Sequence, residues 1–306
     1  MGFAWLCGLL LFVQPYSADD LLFIEHDGEE LAAIHREDYV LPFPGIPLMN
    51  PDKYQALLKT LDKQIYQPPE NAYINNSGQV ISEKTGHQLY HKAFTDLFYT
   101  YFYKNKSSRI EVPILPVHPR VDRDLLLHIG VKKIGQYVTY YNSGNKARSH
   151  NISLAAQAIN NHVIFPGETF SFNRVVGKRT RDRGYMKAPV IVRGELAEDI
   201  GGGICQVSST LFNAADHAGV KVIERYSHSR RVPYVPPGRD ATVSWYGPDF
   251  TFKNDYSFPL LIRARAIGGR MIIRIFSSDE IEYEPRPVPG ASRQLPKEIP
   301  SRDAND

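Results

Sequence analysis

Cysteine is almost missing from this sequence: two occur in 306 residues, Cys7 and Cys205. Cys7 lies inside an apolar N-terminal run, so Cys205 is the one thiol of the folded part and has no internal disulfide partner. No C-x-x-C and no H-E-x-x-H is present, and His87 and His91 are four apart with no third ligand in view. Neither zinc nor any cofactor is therefore expected. An excess of one charge is lacking too: 36 Lys and Arg face 33 Asp and Glu, a net charge of +3. Bulk charge thus gives no reason to expect a nucleic-acid partner, although attraction to an anionic polymer stays open.

Long apolar runs are scarce. The single candidate, FAWLCGLLLFV at residues 3–13, is shorter than a comfortable membrane span. It is followed by Pro15, Ser17 and Ala18 and then Asp19 and Asp20, so residues 1–18 read as a signal peptide or membrane anchor. The expected location is extracytoplasmic, in the cell wall or held at the membrane through this segment only. The chain is long enough for one or two domains with a real core. Its 18 Tyr and 15 Phe suit a β-rich fold or a surface that stacks on sugars.

The stretch with the most chemistry is GGGICQVSSTLFNAADHAG, residues 201–219. Val207, Leu211, Ala214, Ala215 and Ala218 form one apolar stripe at helical spacing, and Gly219 is a C-terminal stop. Cys205 then stands at the helix mouth, where unpaired N–H groups and the helix dipole favour a thiolate. Gly201, Gly202 and Gly203 can take positive φ and offer N–H groups to a developing oxyanion. On helical geometry Cys205 should project with Ser209 and Phe212 into an open site. A buried structural cysteine and a metal ligand are the competing readings.

Residues 19–49 read as a linker ending in VLPFPGIPLMNP. Pro51 opens an amphipathic helix capped by Asn50, with Tyr54, Leu57, Leu58, Leu61 and Ile65 on one face. A hairpin follows around Asn76, Ser77 and Gly78, then a helix over 92–103 and a strand over 109–116. Residues 50–116 therefore form a small α+β module. Beyond it come a strand at 134–143, a helix capped by Asn151, a turn at PGETFSFN and a strand pair over 184–194. After the cysteine helix, VKVIERYSHSRRVPYV alternates as a strand and a hairpin closes around Gly268 and Gly269. Residues 277–306, with five prolines, read as a disordered tail.

Several of these pieces occur together in one known family. Asn151-Ile152, Ile159-Asn160, PGETFSFN, Gly177, Gly184-Tyr185, GGGICQVSSTLFNAA, ERYSHS at 224–229, Tyr234, Gly238 and DATV at 240–243 resemble the VanW domain. That domain, assigned here to residues 130–276, was named from vancomycin-resistance gene clusters and occurs in cell-envelope proteins of Gram-positive bacteria. The module at 50–116, with PENAY and GQVISEKTG, resembles the peptidoglycan-binding domain that often precedes it. The expected fold is α+β, a small N-terminal module followed by a β-rich domain whose central helix carries the cysteine.

The resemblance implies a factor in peptidoglycan synthesis or maintenance, and some VanW-domain proteins are held to be cysteine L,D-transpeptidases. A carboxypeptidase, or a non-catalytic wall-binding protein, remains the alternative. A thiol acyltransferase needs a base and a group to orient it. His228 in the polar SHSRR stretch is the expected base, Asp240 the orienting carboxylate and His150 the rival base, with His217 a solvated helix-end residue. Gln206 joins the glycines on the substrate-backbone side. Ser208, Ser209, Arg225, Arg230 and Tyr234 are expected to bind stem peptide, the arginines through its carboxylates.

Overall fold

The computed structural model describes residues 20–43, 47–104, 107–192 and 195–295, and it falls into two compact units. The expected signal or anchor at 1–18 lies outside the described residues. Among those described, no helix is long and apolar enough to cross a membrane.

The first unit comprises residues 1–71 and 83–120. It begins with β1 (Leu21–His26) and β2 (Glu29–His35), an antiparallel pair where a linker was expected. Leu22 and Ile24 alternate into the core, and β1 is completed by parallel pairing with a strand 86 residues further on. Helix α1 (Pro51–Ile65) follows, with the Asn50 side chain accepting from the amides of Asp52 and Lys53. Its five predicted apolar residues are all buried, as amphipathic spacing requires.

A short hairpin of β3 (Tyr73–Ile74) and β4 (Val80–Ile81) belongs to the second unit. The chain then returns to the first as β5 (Gly86–Leu89), α2 (His91–Lys104), β6 (Ser108–Glu111) and β7 (Ile114–Val117). The single strand expected at 109–116 is thus two: β6 pairs with β1, and β7 with β5. Pro113 lies between them and cannot donate to a ladder. Phe94, Phe98 and Phe102 from α2 fill the core against α1. His91 pairs with Asp62 at 2.8 Å, while His87 lies on β5.

The second unit holds residues 72–82 and 121–306. Its elements are α3 (Arg123–Ile129), β8 (Lys132–Tyr140), α4 (Lys146–Ile159), β9 (His162–Ile164), β10 (Thr169–Ser171), α5 (Phe172–Val176), β11 (Lys187–Val192), β12 (Glu195–Ile200), α6 (Ile204–His217), β13 (Lys221–Glu224), β14 (Thr251–Lys253), β15 (Leu260–Ile267) and β16 (Arg270–Ser277). The main sheet has the order β8-β16-β15-β9, all neighbours antiparallel. Helix α6 lies on one of its faces. A Cβ at Gly135 would stand 2.3 Å from the Ala214 carbonyl, so only glycine lets β8 and α6 approach this closely.

Three expectations change here. Helix α4 starts at Lys146 under an Asn145 cap, which leaves Asn151 buried within it. The strand pair expected inside 184–194 is β11 with β12, and its second strand comes after Gly194. The chain beyond Ser277 is not free up to residue 295: Ile281 is buried, Arg286 pairs with Asp216, and Tyr137 donates to the Pro289 carbonyl. The α+β class stands.

Candidate active site

Gly203 caps α6 in the left-handed region at φ 106°, where a side chain is disfavoured, and no side chain takes over the cap. The Ile204 and Gln206 amides turn back onto the Gly201 and Gly203 carbonyls. Gly202 serves packing: a Cβ there would fall 2.4 Å from the Ala188 carbonyl. The Gly201 amide is spent on the Met186 carbonyl, which removes it from the expected oxyanion donors. The amides of Gly202 and Gly203 have no acceptor among the described residues.

Cys205 is half-buried at this mouth and unpaired. Its Sγ lies 3.8 Å from Thr242 Oγ1 and 3.6 Å from the Val243 carbonyl. Across from it stands His228, whose Nδ1 is 2.7 Å from Asp240 Oδ2; the same carboxylate oxygen accepts from the His228 amide at 2.6 Å. With Nδ1 held by the carboxylate, Nε2 is the ring nitrogen left to face the thiol, and the imidazole and the thiol interact electrostatically. Cysteine, histidine and aspartate thus form one chain of interacting groups, assembled from residues 23 and 12 positions apart in sequence.

Burial pushes the Cys205 thiol up, but the hydrogen bond and charge of His228 outweigh it and hold the thiol below its ordinary 9.0. Burial likewise works against an imidazolium at His228, yet Cys205 and Asp240 raise its pKa. Asp240 is buried, which disfavours its charge, and the two His228 hydrogen bonds still depress it. Each member favours the charged form of the next. This is the electrostatics of an activated nucleophile.

His228 is not on a strand as expected. β13 ends at Glu224, and the following chain joins the rest through a single bridge between Tyr226 and Thr242. Helix α6 places that loop. Ser208 Oγ donates to the Ala241 carbonyl at 2.6 Å, Ser209 Oγ accepts from the Ala241 amide at 2.9 Å, and Asn213 donates to the Arg239 carbonyl at 2.7 Å. These bonds bracket Asp240 on both sides.

Four of the residues expected to bind substrate are engaged within the protein itself. Ser208 and Ser209 are wholly buried and position the Asp240 segment, so they do not line an open face. Tyr234 is buried. Arg225 donates to the Asp240 and Gly238 carbonyls and lies over Phe212. Gln206 is buried as well, donating to Thr139 Oγ1 and the Tyr140 carbonyl while accepting from Arg148. Burial of Ser209 and Phe212 also shows that Cys205 does not share an open face with them; it reaches the site only because it sits at the helix end. Arg230 is exposed, two residues from His228.

The rival base is tied elsewhere: His150 Nε2 meets the Gly184 carbonyl at 2.9 Å. His217 closes the far end of α6 beside the Gln136 backbone. Sequence reasoning missed three contributors. Thr242 touches the thiol, Asn151 ties Met186 to Gly202, and Arg179 packs its side chain against Gly201 with both terminal nitrogens buried and without a partner. Asn151 carried a signal as an asparagine in a run of apolar helix residues, and Thr242 as part of DATV; Arg179 carried none. The Arg179 guanidinium feels Cys205 more than any other charge around it.

A buried polar helix thus carries Cys205 at its mouth beside a His–Asp pair on an α+β scaffold. Residues 147–276 match the family described as VanW like protein. The chain is 55% identical over 292 residues, 95% of its own length and 96% of the relative's, to the uncharacterized protein YoaR of Bacillus subtilis (strain 168). Over 110 residues it is 36% identical to the vancomycin B-type resistance protein VanW of Enterococcus faecalis (strain ATCC 700802 / V583), covering 34% of this chain and 40% of that protein. The chain belongs to the VanW family and is of the YoaR type. No solved structure matches it.

Proposed function

We propose that this protein is an exported cell-wall enzyme, a cysteine acyltransferase of L,D-transpeptidase type acting on peptidoglycan stem peptides. The observation that carries the reading is the Cys205–His228–Asp240 chain, with the thiol held below and the imidazole above their ordinary pKa values. The wall as its place of action is supported by the family and by the signal-like residues 1–18.

The thiolate of Cys205 attacks a stem-peptide carbonyl, and the Gly202 and Gly203 amides before the helix receive the oxyanion. His228 passes a proton from Nε2 to the departing amine as the C–N bond breaks, which leaves a thioester and frees the terminal D-alanine. An amine of a neighbouring stem then attacks the thioester carbonyl and gives its proton to His228. The C–S bond breaks and a new amide remains. Asp240 holds the ring in one tautomer throughout. Water in place of the amine gives a carboxypeptidase.

Purified protein incubated with disaccharide-tetrapeptide muropeptides should yield dimers or free D-alanine by mass spectrometry, and Cys205→Ala should yield neither. Unchanged substrate with binding retained in both proteins would replace this reading with a non-catalytic wall-binding role.

A further inference from the structure

The face of the main sheet opposite α6 carries a second site. Thr139 of β8 meets Thr210 of α6, so β8 residues in phase with Thr139 and their partners Met271, Ile273 and Ile275 face that helix. Arg263, Arg265 and Arg274 alternate with these and face the other way. There they line a cavity of about 370 Å³, closed on one side by Asn75 to Gly78 at the tip of the β3–β4 hairpin. No aspartate or glutamate lines it.

Arg263 and Arg274 are direct cross-strand partners. Like charges so placed repel, and a sheet does not gain from them unless something answers the charge. Among the described residues nothing acidic does. Arg263 donates from Nε to Asn160 and from Nη2 to the Asn75 carbonyl, and Arg274 donates from Nε to Gln136, all neutral acceptors. Arg263 is half-buried, and that burial together with the charges of Arg265 and Arg274 pulls its pKa down from the ordinary arginine value. Each guanidinium has five N–H donors, so most remain for a ligand. The hairpin tip is held in place by Asn75 Oδ1, which accepts from the Ser77 and Gln79 amides.

We propose that this pocket binds a phosphate ester carrying at least two negative charges, held between Arg263, Arg265 and Arg274. A tetrahedral oxyanion offers acceptors toward three converging guanidiniums, where a planar carboxylate satisfies one fork. The volume suits one small ester, and the site is independent of the Cys205 chemistry. The charge comes either from a free small ester or from two neighbouring repeats of a phosphodiester polymer.

The test is calorimetric titration of the full-length protein at low salt with inorganic pyrophosphate, linear polyphosphate and citrate. Pyrophosphate should bind, citrate should bind more weakly, and Arg263→Gln and Arg274→Gln should each cost about tenfold in affinity, the scale of one charge-assisted hydrogen bond. Arg274 is exposed, so its variant keeps the fold even where Arg263→Gln disturbs Asn75 and Asn160. Lys63→Gln, which removes an equal charge from α1, should leave binding unchanged. Tighter binding of polyphosphate per phosphate identifies a polymer as the natural source, and equal binding a free ester. Absence of pyrophosphate binding, equal binding of citrate, or unchanged affinity in both arginine variants overturns the proposal.

Discussion

Helices α1 and α6 are nearly the same length and are built on opposite principles. α1 buries Tyr54, Leu57, Leu58, Leu61 and Ile65 and turns its polar side to water, so its packing rests on apolar area. α6 buries eleven of its fourteen residues, including Gln206, Ser208, Ser209, Thr210 and Asn213. Every one of those polar groups has a partner, and the partners of Ser208, Ser209 and Asn213 lie in the segment that carries Asp240. A buried polar helix is expensive unless satisfied, and in return it fixes what it touches. α1 holds a core together; α6 aims a carboxylate.

The comparison is tested most severely at the site. His228→Ala should lower the rate of muropeptide acylation by about 10²–10⁴-fold, the usual contribution of a positioned acid–base group, with no loss of folded protein. A smaller drop read by mass spectrometry would show that Cys205 works without that base. Leu61→Ala should cost about 2–5 kcal/mol in urea unfolding of the first unit while leaving alkylation of Cys205 untouched.

Asn213→Ala should cost less, about 1–3 kcal/mol for the carbonyl and guanidinium groups left unpaired, yet it should slow alkylation because the Asp240 loop loosens. If Asn213→Ala changes stability alone, α6 is merely another core helix. The smallest effect belongs to the α1 cap: Asn50→Ala should cost about 1 kcal/mol.

pH separates the two helices as well. Cys205 has a depressed pKa, so its thiolate contributes stability that is full above 9.0 and is lost as pH falls through the lowered folded value. His228 is raised, so its contribution is full below 6.5 and is lost as pH climbs through its folded pKa. The iodoacetamide rate should therefore reach half its maximum below pH 9.0 in the native protein and shift upward in Asp240→Asn. An unshifted profile would remove Asp240 from the site.

How far each element was legible follows from where its partners lie. The cysteine helix was readable because its apolar stripe and glycine stop are local, and α1 because cap, proline and stripe all fall within sixteen residues. His228 and Asp240 stood out as polar residues in a polar stretch, although the stretch is a loop and not a strand. Leu22 and Ile24 alternated in plain view, but β1 is completed by β6, and a partner that distant leaves no local mark. The residues after Ser277 read as disordered because prolines cannot join a ladder; Asp216, the Gly219 and Val220 carbonyls and the Tyr137 hydroxyl hold Arg286 and Pro289 instead.

By itself, then, the sequence determined that a lone cysteine opens a helix behind three glycines, since propensity, periodicity and positive φ are properties of neighbours along the chain. Only the tertiary structure decided what that cysteine meets. Ser208, Ser209, Gln206 and Tyr234 were turned inward, His150 was tied to a backbone carbonyl, and His228 was carried with Asp240 to the helix mouth. The reason is physical: buried polar groups must find partners, and which partners come within reach is set by packing between segments far apart in the chain.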